Sequence, residues 1–153
     1  MNIHFRRATD DDADAVAVLT RAAYSKWIPV IGREPLPMKA DYNLAVRTHR
    51  IDLLEVDRTL VGLIEMIPEP DWLLIENLAV APAHQGRGYA RILLDRAQDT
   101  ALTLRLKGLR LFTNKLFASN VDLYLRHGFA VDREEAFMGG LTVYMSKPIP
   151  AVG

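Results

Sequence analysis

Residues 73–97 read LLIENLAVAPAHQGRGYARILLDRA, from Leu73 to Ala97, and the order of signals in this stretch decides the fold. An apolar strand runs into Asn77-Leu78-Ala79-Val80, Pro82 breaks it, and Gln85-Gly86-Arg87-Gly88-Tyr89-Ala90 opens an amphipathic helix. Strand, glycine turn and helix start together build a phosphate cradle. Glycines let successive N–H groups point into one concavity, and the helix dipole adds positive potential there. Two familiar versions of this device are excluded. A nucleotide P-loop needs Lys and then Ser or Thr after its last glycine, but Gly88 is followed by Tyr89 and Ala90. A dinucleotide fingerprint starting at Gly86 wants a third glycine where Arg91 stands. It also wants an acid some twenty residues on, where Leu106, Lys107 and Gly108 stand.

The pattern that remains is Gln85-x-x-Gly88-x-Ala90 after an Asn-Leu-Ala-Val strand end. It resembles the acetyl-CoA-binding motif of the GNAT superfamily of N-acetyltransferases. Two further stretches are similar to that family. Arg6-Arg7-Ala8-Thr9 with Asp12-Ala13 looks like its opening, and Asn120-x-x-x-Tyr124-x-x-x-Gly128-Phe129 looks like its closing motif.

Working outward, the strand signals alternate with helical ones. Ile3 to Ala8 alternates as a short strand, and Thr9 before three aspartates caps a helix from Ala13 to Trp27. Ile28 to Met38, rich in Pro and Gly, reads as a loop, and Ala40 to Arg47 as a short second helix. Ile51 to Val56 and Thr59 to Ile67 form a hairpin around Asp57-Arg58, and Trp72 to Val80 is the next strand. The long helix, Gly88 to Leu106, carries Ala90, Leu94, Ala97, Ala101 and Leu104 along one face, and Gly108 ends it. A strand from Leu109 to Thr113 follows, then a helix capped by Asn120 that runs to His127. Strands at Ala130 to Ala136 and Leu141 to Lys147 close the chain. The expectation is an α/β (α+β) single domain over residues 1–153. Its mixed, mostly antiparallel sheet is flanked by helices, and the element order is that of the family.

Composition narrows the function. The chain has 153 residues, half of them hydrophobic, with a formal net charge of zero and no basic excess for nucleic acid. No apolar run approaches the ~18 residues of a membrane span, and the amino end turns acidic where a signal peptide would be apolar, so a cytoplasmic location is expected. There is no cysteine, which excludes disulfides, thiolate metal sites and a cysteine-acyl intermediate. His4, His49, His84 and His127 lie far apart without ligand spacing, so no metal is expected.

The resemblance implies acetyl-CoA as co-substrate and direct transfer of its acetyl group to a primary amine. The pyrophosphate would meet the N–H groups of Gln85, Gly86, Arg87, Gly88, Tyr89 and Ala90, with Arg87 and Arg91 either adding charge or remaining solvated. The pantetheine arm would pair with Leu78, Ala79 and Val80, where the family's strand bulges and splays from its neighbour. Strict alternation puts Trp72, Leu74, Glu76, Leu78 and Val80 on one face, so Glu76 opens beside the thioester and is the first candidate for the base. Glu65 is the second. Tyr124 matches the family's proton donor to the departing thiolate, Asn120 caps its helix or bonds the cofactor, and the Leu78 N–H faces the developing oxyanion. Trp27, Asp41 and Tyr42 are candidates for holding the acceptor, a small-molecule or peptide amine, although Trp27 equally closes a core. A homodimer through the closing strands follows the family habit. The alternative function is a non-catalytic acyl-CoA-binding sensor or regulatory module.

Overall fold

In the structure, a computed structural model that describes residues 2–150, the alternating segments become seven strands. These are β1 (Ile3–Arg7), β2 (Arg50–Val56), β3 (Thr59–Pro68), β4 (Trp72–Val80), β5 (Gly108–Asn114), β6 (Ala130–Phe137) and β7 (Gly140–Pro148). The helices are α1 (Ala13–Tyr24), α2 (Ile28–Ile31), α3 (Tyr42–Thr48), α4 (Tyr89–Thr103) and α5 (Ala118–Arg126). The strands form one sheet in the order β1-β2-β3-β4-β5-β7-β6. Every pairing is antiparallel except β4 with β5, which are joined by the α4 crossover. This is the mixed, mostly antiparallel sheet flanked by helices that the sequence implies. No described helix is long and apolar enough to cross a membrane.

Each face of the sheet is packed. Leu73, Ile75 and Val80 meet Leu93, Leu94 and Ala97 of α4 in one apolar cluster. Ile51, Leu53, Leu63 and Ala79 meet Val16 and Leu19 of α1 and Ala45 of α3 in another. The face of α4 that carries this burial is set by Leu93, Leu94, Ala97 and Ala101, whereas Leu104 is exposed beyond the helix end.

Two irregularities open the sheet. β4 and β5 pair only where Trp72–Leu74 oppose Gly108–Arg110, and then separate. On the other edge of β4, Glu65 pairs with Asn77 but Met66 pairs with Ile75, so Glu76 is an extra residue in a β-bulge. The bulge corrects the strict alternation. Leu73 and Ile75 face α4 before it and Leu78 and Val80 face α4 after it, while Asn77 and Ala79 turn to α1 and α3. Glu76 therefore does not share a face with Leu78 and Val80.

Other differences have local causes. α1 ends at Tyr24 and continues as a 3-10 turn, Ser25–Trp27; the Pro- and Gly-rich stretch after it holds the single turn α2, stopped by Gly32 in the left-handed region. α3 starts after Asp41, whose carboxylate accepts the Leu44 N–H at 3.2 Å. α4 stops before Arg105, itself left-handed at φ +58°, so Gly108 is not the terminator. Gly108 instead marks a close approach: a Cβ there would run into the Lys147 carbonyl and the Trp72 ring. Asn120 is not the cap of α5. The Asn114 side chain accepts the Leu116 N–H at 2.9 Å and turns the chain early, so Phe117 is the cap and Asn120 lies in the first helical turn.

Candidate active site

The separation of β4 from β5 leaves a cleft of about 800 Å³ between the ends of β4 and α1, the loop that follows β4, α4 and α5. The loop is held at two points by one side chain. Gln85 donates from Nε2 to the Val80 carbonyl at 2.9 Å and accepts at Oε1 from Lys26 Nζ at 2.9 Å. Gly86 and Gly88 adopt φ of +78° and +86°, a conformation glycine takes without strain. A Cβ at either would point into open space. Among the described residues, the N–H groups of Gly86, Arg87 and Gly88 donate to no acceptor. With the first turn of α4 beside them, they form a cradle whose donors fit a pyrophosphate.

The cofactor candidates divide by position. Leu78, Ala79, Val80, Gln85, Gly86, Gly88, Tyr89, Ala90 and Asn120 line the cleft, as does Arg91, while the Arg87 side chain does not. Trp27 also lines this cleft, beside the glycine turn, and stacks on Phe117 at 4.8 Å between ring centroids, so it is separated from Asp41 and Tyr42, with which the sequence grouped it. Tyr124 does not line the cleft. It is buried against Phe129, and burial pushes its hydroxyl up to about 12.

On the other face of β4 lies a second cavity of about 500 Å³. Asp41, Tyr42, Glu65 and Glu76 line it, with Phe112, Phe137 and Tyr144 as aromatic walls. Glu76 has its carboxyl pushed above the usual carboxylate range, first by burial and then by the nearby Glu65 charge. Glu65 is almost fully buried and lies 2.6 Å from His49 Nδ1. Tyr42 donates to the Pro37 carbonyl at 2.6 Å and accepts from Asn77 Nδ2 at 3.3 Å, which ties the bulge to α3. Tyr24 lines both cavities, and its hydroxyl donates to the Leu78 carbonyl at 3.3 Å.

Sequence reasoning set His49 aside because it asked only about metals. The pairing of Ile51 with Glu65 carries His49, just ahead of β2, to the Glu65 carboxylate. No local pattern announces that. Tyr24 has no local pattern that singles it out in the sequence, and its place between the cavities comes from the packing of α1 on β4.

With this geometry in hand, the chain can be set against known proteins. The pattern of the Acetyltransferase (GNAT) family matches residues 16–129. The chain belongs to that family. It is 33% identical over 98 residues to the streptothricin acetyltransferase of Escherichia coli, an alignment covering 63% of this chain and 52% of that protein. To the streptothricin acetyltransferase of Streptomyces lavendulae it is 34% identical over 85 residues, covering 51% and 45%. The chain thus spans about half the length of the curated relatives it matches. Among solved structures, the PaiA N-acetyltransferase of Thermoplasma acidophilum in complex with coenzyme A superposes with a TM-score of 0.83 at 18% identity, covering 97% of this chain and all of that one. Nourseothricin acetyltransferase superposes with a TM-score of 0.75 at 21% identity, covering 98% and 100%. At these identities the likeness establishes the fold.

Proposed function

We propose that the chain is an acetyl-CoA-dependent N-acetyltransferase acting on a primary amine of a cationic acceptor. The observation that carries this reading is the meeting of two unlike cavities at Leu78 and Tyr24. One has a phosphate cradle, and the other is acidic and aromatic.

Acetyl-CoA supplies a thioester, whose carbonyl carbon accepts a neutral amine. An alkylamine with a pKa of ~10 arrives protonated, so the site must remove a proton. Glu76 is the better base of the two carboxylates. Glu65 is already engaged by His49 at 2.6 Å, whereas the raised pKa of Glu76 makes it a stronger proton acceptor than an ordinary carboxylate. Asp41, Glu65 and the aromatic walls favour a cationic acceptor. Tyr24 reaches the Leu78 carbonyl, so this edge of β4 faces the gap. A strand residue's N–H and C=O point the same way, which leaves the Leu78 N–H to stabilise the developing oxyanion. Tyr124 keeps its proton throughout the physiological range and lies close enough to Tyr24 to raise that phenol's pKa; it does not line the cleft, so the role of donor to the departing thiolate that we assign it runs through Tyr24 or a water.

Because the two curated relatives are streptothricin acetyltransferases, an antibiotic amine is the first acceptor to test. The experiment is a panel of amines that includes streptothricin, polyamines, amino acids and peptides, followed by CoA release and by the mass of the product. Acetylated product with one class of amine is the expected outcome. Binding of acetyl-CoA without product from any amine would move the reading to an acyl-CoA sensor.

A further inference from the structure

His49 is the one imidazole among the described residues that line the second cavity, and the transfer step above gives it no part. It is the C-cap of α3 and leads into β2, where the pairing of Ile51 with Glu65 sets it against a buried carboxylate. His49 Nδ1 lies 2.6 Å from Glu65 Oε2, and the Glu65 side chain is 4% exposed against 30% for the ring. An imidazole is a stronger base than a carboxylate, so the shared proton belongs to Nδ1 and Glu65 accepts it. That bond keeps the proton off Nε2 in the neutral ring. Nε2 then has a lone pair and no hydrogen-bond or ion-pair partner among the described residues, and its ring lines the same cavity as Glu76.

A base in this cavity has a proton to dispose of after each transfer. Burial and the Glu65 charge make Glu76 hold what it has accepted, and the next turnover waits until that proton is gone. The other ionisable groups facing the cavity are committed or already protonated. Tyr24 and Tyr42 donate to the Leu78 and Pro37 carbonyls, and the Asp41 carboxylate accepts the Leu44 N–H. The Arg33 guanidinium and the Tyr144 phenol carry their protons. Glu69, whose charge also reaches Glu76, is held by Arg110 at 2.6 Å. His49 is suited to the task on both sides. A carboxylate in contact with the ring stabilises an imidazolium, and a charge on His49 favours the ionised form of Glu76.

We propose that Glu65 and His49 form a proton-exit dyad for the acceptor site, an inference that rests on the reading of Glu76 as the base. The ammonium N–H bond breaks and its proton goes to a Glu76 carboxylate oxygen. The freed lone pair forms the N–C bond to the acetyl carbon, and the C–S electron pair leaves with the thiolate. A second proton leaves the nitrogen and replaces the one given to the thiolate. The Glu76 proton passes through water to His49 Nε2, makes an imidazolium paired with Glu65, and leaves the exposed part of the ring for solvent. Glu76 is returned to its carboxylate. Glu65 is a positioning residue that fixes the ring and its tautomer.

The test uses streptothricin as acceptor or, if it gives no product, the amine of the panel that does. His49→Ala should lose on the order of 10²-fold in kcat at neutral pH, with the acceptor KM within about twofold. Imidazole in the buffer should raise the kcat of this variant about tenfold, whereas pyrazole, a ring of the same size and a far weaker base, should not. Nitrogen NMR of the wild type needs neither acceptor nor variant, and neutral His49 should show a protonated Nδ1 and a bare Nε2. The opposite tautomer overturns the dyad. A folded His49→Ala with wild-type kcat also overturns it and leaves the Glu76 reading standing. So does a loss that imidazole and pyrazole restore equally or not at all, the mark of a packing role. Full activity in Glu76→Gln, with His49→Ala inactive and rescued by imidazole, overturns the exit route in favour of direct abstraction by His49. If no amine of the panel is acetylated, the acetyltransferase reading fails and the dyad fails with it.

Discussion

Glu76 is the base we propose, and its position depends on the bulge that takes it out of the β4 alternation. Burial and the Glu65 charge disfavour its ionised form, so its carboxylate becomes populated only above the usual carboxylate range. Activity should therefore rise with pH through that raised value. Glu76→Gln should cost on the order of 10²–10⁴ in kcat/KM at neutral pH and recover as the pH approaches the acceptor's own pKa, where free amine becomes abundant. Glu65→Gln, which frees His49, is the control with the same change of charge. The measurement is kcat/KM against pH for all three proteins, and a Glu76→Gln profile parallel to wild type would remove Glu76 as the base. Tyr124 should answer differently. Its phenol is protonated across that range, so Tyr124→Phe should lower turnover about 10²-fold with no change in profile shape or CoA affinity.

Among the elements, α3 has two duties at its N-cap. The Asp41 carboxylate caps the helix through the Leu44 N–H and also lines the second cavity, where we place the acceptor. The two roles separate by substitution. Asp41→Ala should lose about 1 kcal/mol of stability, the usual cost of an N-cap, whereas Asp41→Asn keeps a cap and should stay within a few tenths. Both should raise the KM of a cationic acceptor by a similar factor. Denaturant midpoints and acceptor KM values distinguish these, and an Asp41→Ala midpoint equal to wild type would mean that the cap contributes nothing. The loop after β4 is tied down in a comparable way, with Gln85 joining it to Val80 and Lys26, so the cradle is held before any ligand arrives.

For the whole molecule, the opening of the sheet is the feature that makes a site. β5, β7 and β6 diverge from β4 after three paired positions, and Gly108 lies where the two halves come closest. Its missing side chain lets Trp72 and the Lys147–Pro148 backbone close over it. Gly108→Ala should cost ~1–3 kcal/mol, as overpacking does, because the Lys147–Pro148 backbone of β7 and the Trp72 ring would have to shift. Gly140→Ala is the comparison. A Cβ there meets nothing nearer than 3.8 Å, so its effect should stay within about 0.5 kcal/mol. Denaturation and calorimetry on both variants check this, and a Gly108→Ala protein as stable as wild type would contradict the close-approach account.

The sequence by itself determined the element order, the hairpin at Asp57-Arg58 and the phosphate-type turn at Gly86 and Gly88. These depend on periodicity, caps and glycine conformations, which act over a few residues. The cap of α5 and the end of α4 differ from the sequence expectation, because alternative local conformations at Asn114 and Arg105 compete with the ones sequence offers, whereas Leu94, Ala97 and Ala101 do form the buried face of α4 and only Leu104 falls outside it. Only the tertiary structure decided the rest. The bulge at Glu76 is a property of two strands in register, and the pairing of His49 with Glu65 requires β2 laid against β3. Tyr24 reaches Leu78 only when α1 packs on β4, and contacts from Asp95 through His127 to Lys147 join three elements that are remote in sequence. Such contacts form only after the apolar faces have been buried, and no short-range pattern records them.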